Sequence, residues 1–431
     1  MRKMKDSGIP WIGEIPADWS IVKIKAGVHK VGSGKTPSGG ATSYADEGVL
    51  FLRSQNVYDT GLELSNPAYI TPEVDEEMKG TRVFPNDVLL NITGGSIGRC
   101  CIFPESLETA NVNQHVSIIR VDERVFLPEF MHYYWISPLG SIAISLYQTG
   151  GNREGMSAEA IKNTPTILMP LEEQKRICKL LDAKCAEIDA VLDKTRTSIE
   201  EYKKLKQAII TQAVTKGIRG DRPMKESGIE WAPLIPEDWS SYRGKHLFYE
   251  TNERSETGSE ELLTVSHKTG ITPRSQKNVN MFMSESLVGY KICREGDIAA
   301  NTMWMWQGAI GVSAYHGVIS PSYNTYRQRN SAFDSQYLDY LLRIPPLVDQ
   351  YNVCSTGITA SRLRLYPEQF LSLRFIVPPM EEQQKIVKFL HSRVDEMDAL
   401  IQKKEQFLAE LETYKKSLIY EYATGKKEVP K

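Results

Sequence analysis

The stretch VGSGKTPSGG, Val31–Gly40, carries a Gly-Lys-Thr triplet, and the chemistry it would bring is ATP binding and hydrolysis. A phosphate-binding loop places another glycine before that triplet with four residues between, and its lysine and threonine open a helix aimed at the phosphates. Counting back from Gly34 puts His29 at the glycine position. Pro37 pushes Thr36 away from helical geometry, and Gly39-Gly40 would weaken any helix that followed. Gly32, Gly34 and Lys35 therefore read as a flexible basic loop, not as an ATP site.

Other catalytic signatures are missing too. No Gly-x-Gly-x-x-Gly follows a strand-like run, and no His-Glu-x-x-His, Gly-x-Ser-x-Gly or EF-hand loop occurs. Asp75-Glu76-Glu77 is an ordinary solvated run. The six cysteines, Cys100, Cys101, Cys178, Cys185, Cys293 and Cys354, form no Cys-x-x-Cys pair and lack histidines at zinc-ligand spacing. They are expected to be reduced thiols.

The 52 basic and 54 acidic side chains of the 431 residues nearly cancel, and no segment is a basic tail. A polyanion would have to be met by local loops on a folded surface. No apolar run reaches eighteen residues, and the basic amino terminus has no apolar core behind it. The expectation is a cytoplasmic protein with no membrane partner.

The elements that must position any site are written twice. Met4–Trp19 returns as Met224–Trp239 with ten of sixteen positions identical. Asp87 and Asn91 match Asp297 and Asn301, and SIGR set against AIGV places Gly98 opposite Gly311. Met169–Leu192 meets Pro378–Ile401 at a shift of 209. Each copy opens with about 170 residues of short alternating runs bounded by Gly, Pro, Asn and Asp, which predicts an α+β domain.

From Leu171 the pattern becomes helical. Glu172 and Glu173 follow Pro170, where carboxylates favour a helix start, and Gly217 suits its stop. Leu181, Ile188, Tyr202 and Ile209 form one apolar row and Cys185, Leu192 and Ile199 another, imperfect at Thr195. Leu390, Met397, Leu411 and Leu418, with Val394, Ile401, Leu408 and Tyr422, repeat it. Each helix would be roughly 65–70 Å long, and its best partner is the other one. A duplicated chain with a pseudo-two-fold axis would run these helices antiparallel, with a globular domain at each end. The expected boundaries are 1–170, a helix over 171–217, 218–379, a second helix over 380–424 and a tail over 425–431.

The order of globular domain, PLEEQKRI helix, globular domain, PPMEEQQKI helix resembles the specificity subunit of type I restriction–modification systems, as does the SGIPWIGEIPADW opening. The resemblance covers essentially the whole chain. It implies a non-catalytic reader of double-stranded DNA with two target-recognition domains, each reading part of a bipartite site while the helices set the spacer. It also implies docking of two methyltransferase subunits and of restriction subunits. S-adenosylmethionine, ATP and magnesium would then belong to those partners, with no cofactor on this chain. The absence of an Asn/Asp-Pro-Pro-Tyr/Phe tetrapeptide agrees, since an adenine methyltransferase would use it to hold its target.

Under that implication, lysines and arginines meet phosphates while other side chains reach base edges. The candidates in the first copy are Lys35 and Thr36, then Arg53, Ser54, Gln55 and Asn56, then Thr93 in NITGG and Arg153 in TGGNREG. Arginine can pair with guanine, and asparagine or glutamine with adenine. In the second copy they are His267 and Lys268, Arg274, Asn301, the TMWMWQG segment, and Arg362 and Arg364. Trp304 and Trp306, two apart, would share a strand face, which suits core packing. Asn91 and Asn301 recur in both copies and so suit a shared turn, whereas loops that differ between copies suit specificity. A P-loop ATPase and a coiled-coil scaffold without DNA preference are the rival readings.

Overall fold

A computed structural model describes residues 2–148, 155–277, 286–357 and 363–430. The chain divides into two compact units, Met1–Arg196 with Gln406–Lys431, and Thr197–Glu405. Each unit thus combines one globular copy with a stretch of both long helices.

The same antiparallel four-stranded sheet stands in each copy. In the first its order is Cys100–Ile102, Val88–Asn91, Val116–Val121, Val28–Ser33. In the second it is Ile310–Val312, Ile298–Ala300, Asn324–Gln328, Phe248–Thr251. A left-handed residue, Asn86 or Gly296, makes the turn before the first strand of each hairpin, Val88–Asn91 or Ile298–Ala300, a conformation these two types adopt at low cost. The aspartate that follows is buried and gripped by an arginine on the neighbouring strand. Asp87 accepts from Arg120 Nε and Nη2 at 2.7 Å each, and from the Phe84 N–H at 2.8 Å. Asp297 repeats this with Arg327 at 2.7 and 2.8 Å and the Arg294 N–H at 2.9 Å.

Beyond this shared sheet the copies diverge. The first adds a four-stranded sheet in which Val49–Leu52 runs parallel to Ala110–Val112. The second keeps an antiparallel pair there, Lys291–Cys293 with Gly317–Ile319, and one parallel bridge, Leu262 to Val318, but adds a hairpin, Leu263–Ser266 with Gly270–Pro273.

The long helices are Leu171–Lys216 and Met380–Ala423. One glutamine in the first turn ties each to its own copy. Gln174 accepts from the Leu127 N–H and donates to the carbonyls of Val125 and Met169. Gln383 does the same with Asp334, Ala332 and Pro378. Within the first unit the helices run antiparallel, because Asp189 pairs with Lys415 and Arg196 with Glu412, both at 2.7 Å. Within the second unit Lys203 faces Glu405 and Lys206 bonds Asp398.

The apolar rows do more than join helix to helix. Leu181, Cys185, Ile188 and Leu192 share one core with Phe126, Phe130 and Tyr134 of the first copy and with Leu418, Ile419 and Tyr422. Toward the other end the fully buried face shifts from the expected Ile209 to Ile210, Ala213 and Val214, which pack on Leu338, Leu341, Ile386 and Leu390. The globular copy competes with the partner helix for that face, so the row departs from a strict heptad. Each such side chain contributes about 1.5–3 kcal/mol when fully buried.

Candidate nucleic-acid interface

In the first copy four turns meet at one end of the shared sheet. The Lys35 N–H donates to Val112 O and the Gly34 N–H to Val116 O, both at 3.0 Å, so this segment continues the strand Val28–Ser33. It is fixed by backbone bonds, not flexible as its composition suggests. Gly34 has a specific reason to be glycine, since a Cβ there would lie 2.0 Å from Val112 O. The close approach serves the strand Ala110–Val112 of the added sheet, not a phosphate. No helix starts at Lys35, and the next element is a single turn of 3-10 helix at Gly40–Ser43.

Beside exposed Lys35 a polar chain crosses the site. The Thr36 hydroxyl donates to Gln114 Oε1, Gln114 Nε2 lies 3.2 Å from His115 Nε2, and His115 Nδ1 lies 2.6 Å from Thr93 Oγ1. Thr93 is bridged in turn by Gly155, where a Cβ would lie 2.7 Å from the Thr93 methyl. Asn91 donates to Ser54 O at 2.8 Å, which brings the Arg53–Asn56 turn alongside. Lys35, Thr36, Ser54, Gln55 and Thr93 are therefore brought together, with Gln55 exposed. Gln114 and His115 were missed by sequence reasoning, although the polar triplet Asn113-Gln114-His115 between two apolar runs was a usable turn signal.

Asn56 is not an exposed reader. It is buried, its Oδ1 accepts from the Arg53 N–H and its Nδ2 donates to Glu63 O, so it shapes the turn. The Arg53 guanidinium is held by Asn66 O at 2.8 Å and lies over the Tyr44 ring. Arg153 and Arg362 lie outside the described residues.

In the second copy the equivalent strand ends in a turn of equal length and different chemistry. Asn91 N donates to Arg99 O, and Asn301 N donates to Ala309 O. Leu90 pairs with Cys100 and Ala300 with Ile310. Strand register thus sets Gly98 opposite Gly308, both left-handed, and not opposite Gly311 as the SIGR–AIGV match suggests. Ile92–Gly98, ITGGSIG, is matched by Thr302–Gly308, TMWMWQG.

Asn301 is buried there, donating to Tyr323 OH and accepting from the Met303 N–H, so it holds the turn and is not an exposed reader. The tryptophans are not core strand residues. Trp304 caps a 3-10 turn, Met305–Gln307, that contains Trp306; the rings stack at 6.1 Å with planes 16° apart, and Trp304 is 48% exposed while Met305 between them is buried.

His267 and Lys268 are exposed on a hairpin turn whose carbonyls accept from Arg343. With Gln307, Tyr340, Lys206 and Gln207 they line a cavity of about 340 Å³. Arg274 and Lys277 are neighbours on the following turn, and burial first, then the Arg274 charge, pushes the Lys277 ammonium pKa down. Arg364 is exposed, its backbone paired with Thr356. Among the described residues no cluster of His, Cys, Asp and Glu could hold a metal ion, and no helix is long and apolar enough to cross a membrane.

The family model of the type I restriction modification DNA specificity domain matches residues 16–201 and 258–410. The chain is 22% identical over 425 residues to the putative type I restriction enzyme MjaX specificity subunit of Methanocaldococcus jannaschii, covering 96% of this chain and 95% of that one. It is 21% identical to the type I restriction enzyme MjaVIII specificity subunit of the same organism, over 96% and 93%. Its fold is similar to that of a chain solved under the description "Structural basis underlying complex assembly and conformational transition of the type I R-M system", with a TM-score of 0.71, 16% identity, and 96% and 99% coverage.

Proposed function

Because the chain belongs to the family of type I restriction–modification DNA specificity subunits, we propose that each globular copy reads one half of a bipartite site in duplex DNA. The observation that carries this reading is the pair of equivalent turns. One scaffold, with the same sheet order and the same Asp–Arg pair, ends in ITGGSIG in one copy and TMWMWQG in the other. A coiled-coil scaffold protein has no need of unlike polar and aromatic turns at matching places.

In this reading Lys35 and Lys268 meet phosphates, and neutralising each releases condensed counterions. Gln55 and Gln114 present amides that can pair with adenine in the major groove, and the Thr36–Gln114–His115–Thr93 chain fixes the orientation of Gln114. The two long helices set the spacer and dock two methyltransferase subunits, with which the restriction subunits assemble. Those partners bind S-adenosylmethionine, ATP and magnesium, while this chain supplies recognition without catalysis.

The test is selection from a pool of random duplexes by the chain assembled with its methyltransferase subunits. Enrichment of two short fixed blocks separated by a constant unspecified gap is expected. A pool left flat, at a salt concentration where the assembly still binds DNA, would favour the scaffold reading.

A further inference from the structure

We infer that the second copy reads its half-site by aromatic stacking, with Trp304 as the residue that meets a base face, whereas the first copy uses a polar chain at the same place. The inference rests on the DNA-reading function proposed above and goes beyond it by separating the chemistry of the two halves.

Strand register makes the comparison residue by residue. Thr93, which meets His115, is matched by Met303, 42% exposed; left-handed Gly94 is matched by Trp304, 48% exposed. Large apolar side chains in water are costly to leave unpaired, yet this turn holds them there. The Trp306 indole N–H donates to Met303 O at 3.1 Å and its ring lies against Trp304 at 6.1 Å. Buried Met305 anchors the turn from below, and Gly308 lies close under Val348, where a Cβ would be 2.9 Å from a methyl group. Trp304 is thus a propped ring and not a loose one.

The chemistry around it selects the occupant. Gln307, next in the chain after Trp306, shares its cavity with His267, Lys268 and Lys206. An exposed aromatic face on the turn whose Gln307 lines a cavity with exposed Lys268 suits a polyanion that carries flat rings, as nucleic acid does. A purely apolar protein partner would leave the exposed Lys268 ammonium without a counterpart, whereas Lys206 already pairs with Asp398. Stacking a base on Trp304 requires a step that is easily unstacked, which adds preference through deformability as well as contact.

The test uses the full chain assembled with its methyltransferase subunits and duplex fragments carrying the motif that the assembly methylates in cells. Trp304→Ala is expected to weaken binding between about 5- and 150-fold, the range for loss of one base–aromatic stack. The slope of log affinity against log salt should stay unchanged, and Trp304→Phe should recover most of the loss. Lys268→Ala, by contrast, should lower that slope by about one. Trp304→Ala binding as tightly as the native chain would overturn stacking while leaving the DNA-reading function intact. Loss of methyltransferase association without DNA, in that variant alone, would assign the ring to a protein contact and overturn the proposal. Failure of the native assembly to prefer the motif would overturn the underlying function as well.

Discussion

Asp87 holds Arg120 through both carboxylate oxygens at 2.7 Å, and because the carboxylate is 1% exposed, the arginine is its only source of opposite charge among the described side chains that it bonds. Removing one partner from such a pair leaves an uncompensated buried group. Arg120→Ala should destabilise the first copy by about 3 kcal/mol, the lower end of the range because the arginine is partly solvated. Arg327→Ala should do the same to the second. Urea unfolding followed in each unit measures both.

The glutamine latches make a second prediction. Gln174→Ala leaves the Leu127 N–H and the Val125 and Met169 carbonyls without their side-chain partner. A loss of about 2–3 kcal/mol is expected, and hydrogen exchange at Leu127 should quicken more than at the sheet. Gln174→Glu, which would set a buried carboxylate against the Val125 and Met169 carbonyls, should cost at least as much.

Acid should weaken the first unit through His132. Its Nδ1 is enclosed without a hydrogen-bond partner among the described residues, and burial first, then the Lys415 charge, holds its pKa down to about 4 from an ordinary 6.5. The unfolded chain takes up a proton below about 6.5 that the folded chain refuses until about 4. Stability from this group is therefore complete above pH 6.5 and lost as pH falls through 4. The loss is on the order of 2 kcal/mol, since the residue as a whole is not fully buried. Thermal melts of the native chain and of His132→Leu across this window should diverge in slope.

Thiol labelling should follow burial. Burial pushes the Cys101 and Cys293 thiols up to about 12, while Cys354 is only half-buried. Mild alkylation of the native chain, read by mass spectrometry, should modify Cys354 well before the five buried cysteines.

Lys35 and Gln114 should separate affinity from specificity. Lys35→Ala is expected to weaken binding uniformly across sequences and to lower the salt slope by about one. Gln114→Ala should instead relax one position of one half-site by about 1–3 kcal/mol. Titration of a duplex panel at several salt concentrations distinguishes them.

The duplication and the helices were legible because their signals are local and repeated. The proline–acidic–Gln start appears twice, and Gln174 and Gln383 proved to make the same three bonds. Turn chemistry was less legible. Asn56 and Arg53 carry the right groups for base edges, but whether those groups face water depends on Glu63 and Asn66, which a spacing rule does not connect to them. The Gly98–Gly311 match failed for a related reason, since a short Ile-Gly pair occurs by chance while strand register does not. Trp304 and Trp306 look like core residues by type, and only the 3-10 turn between Asn301 and Gly308 turns one of them outward.

Sequencing of modified adenines in cells that express the methyltransferase partner, with and without this chain, tests the central claim most directly. A bipartite motif that is methylated only when the chain is present, and that changes in one half alone when Thr302–Gly308 is replaced by the Ile92–Gly98 sequence, is the expected result. Methylation that is unchanged by removing the chain, or that shifts in both halves with the turn exchange, would contradict it.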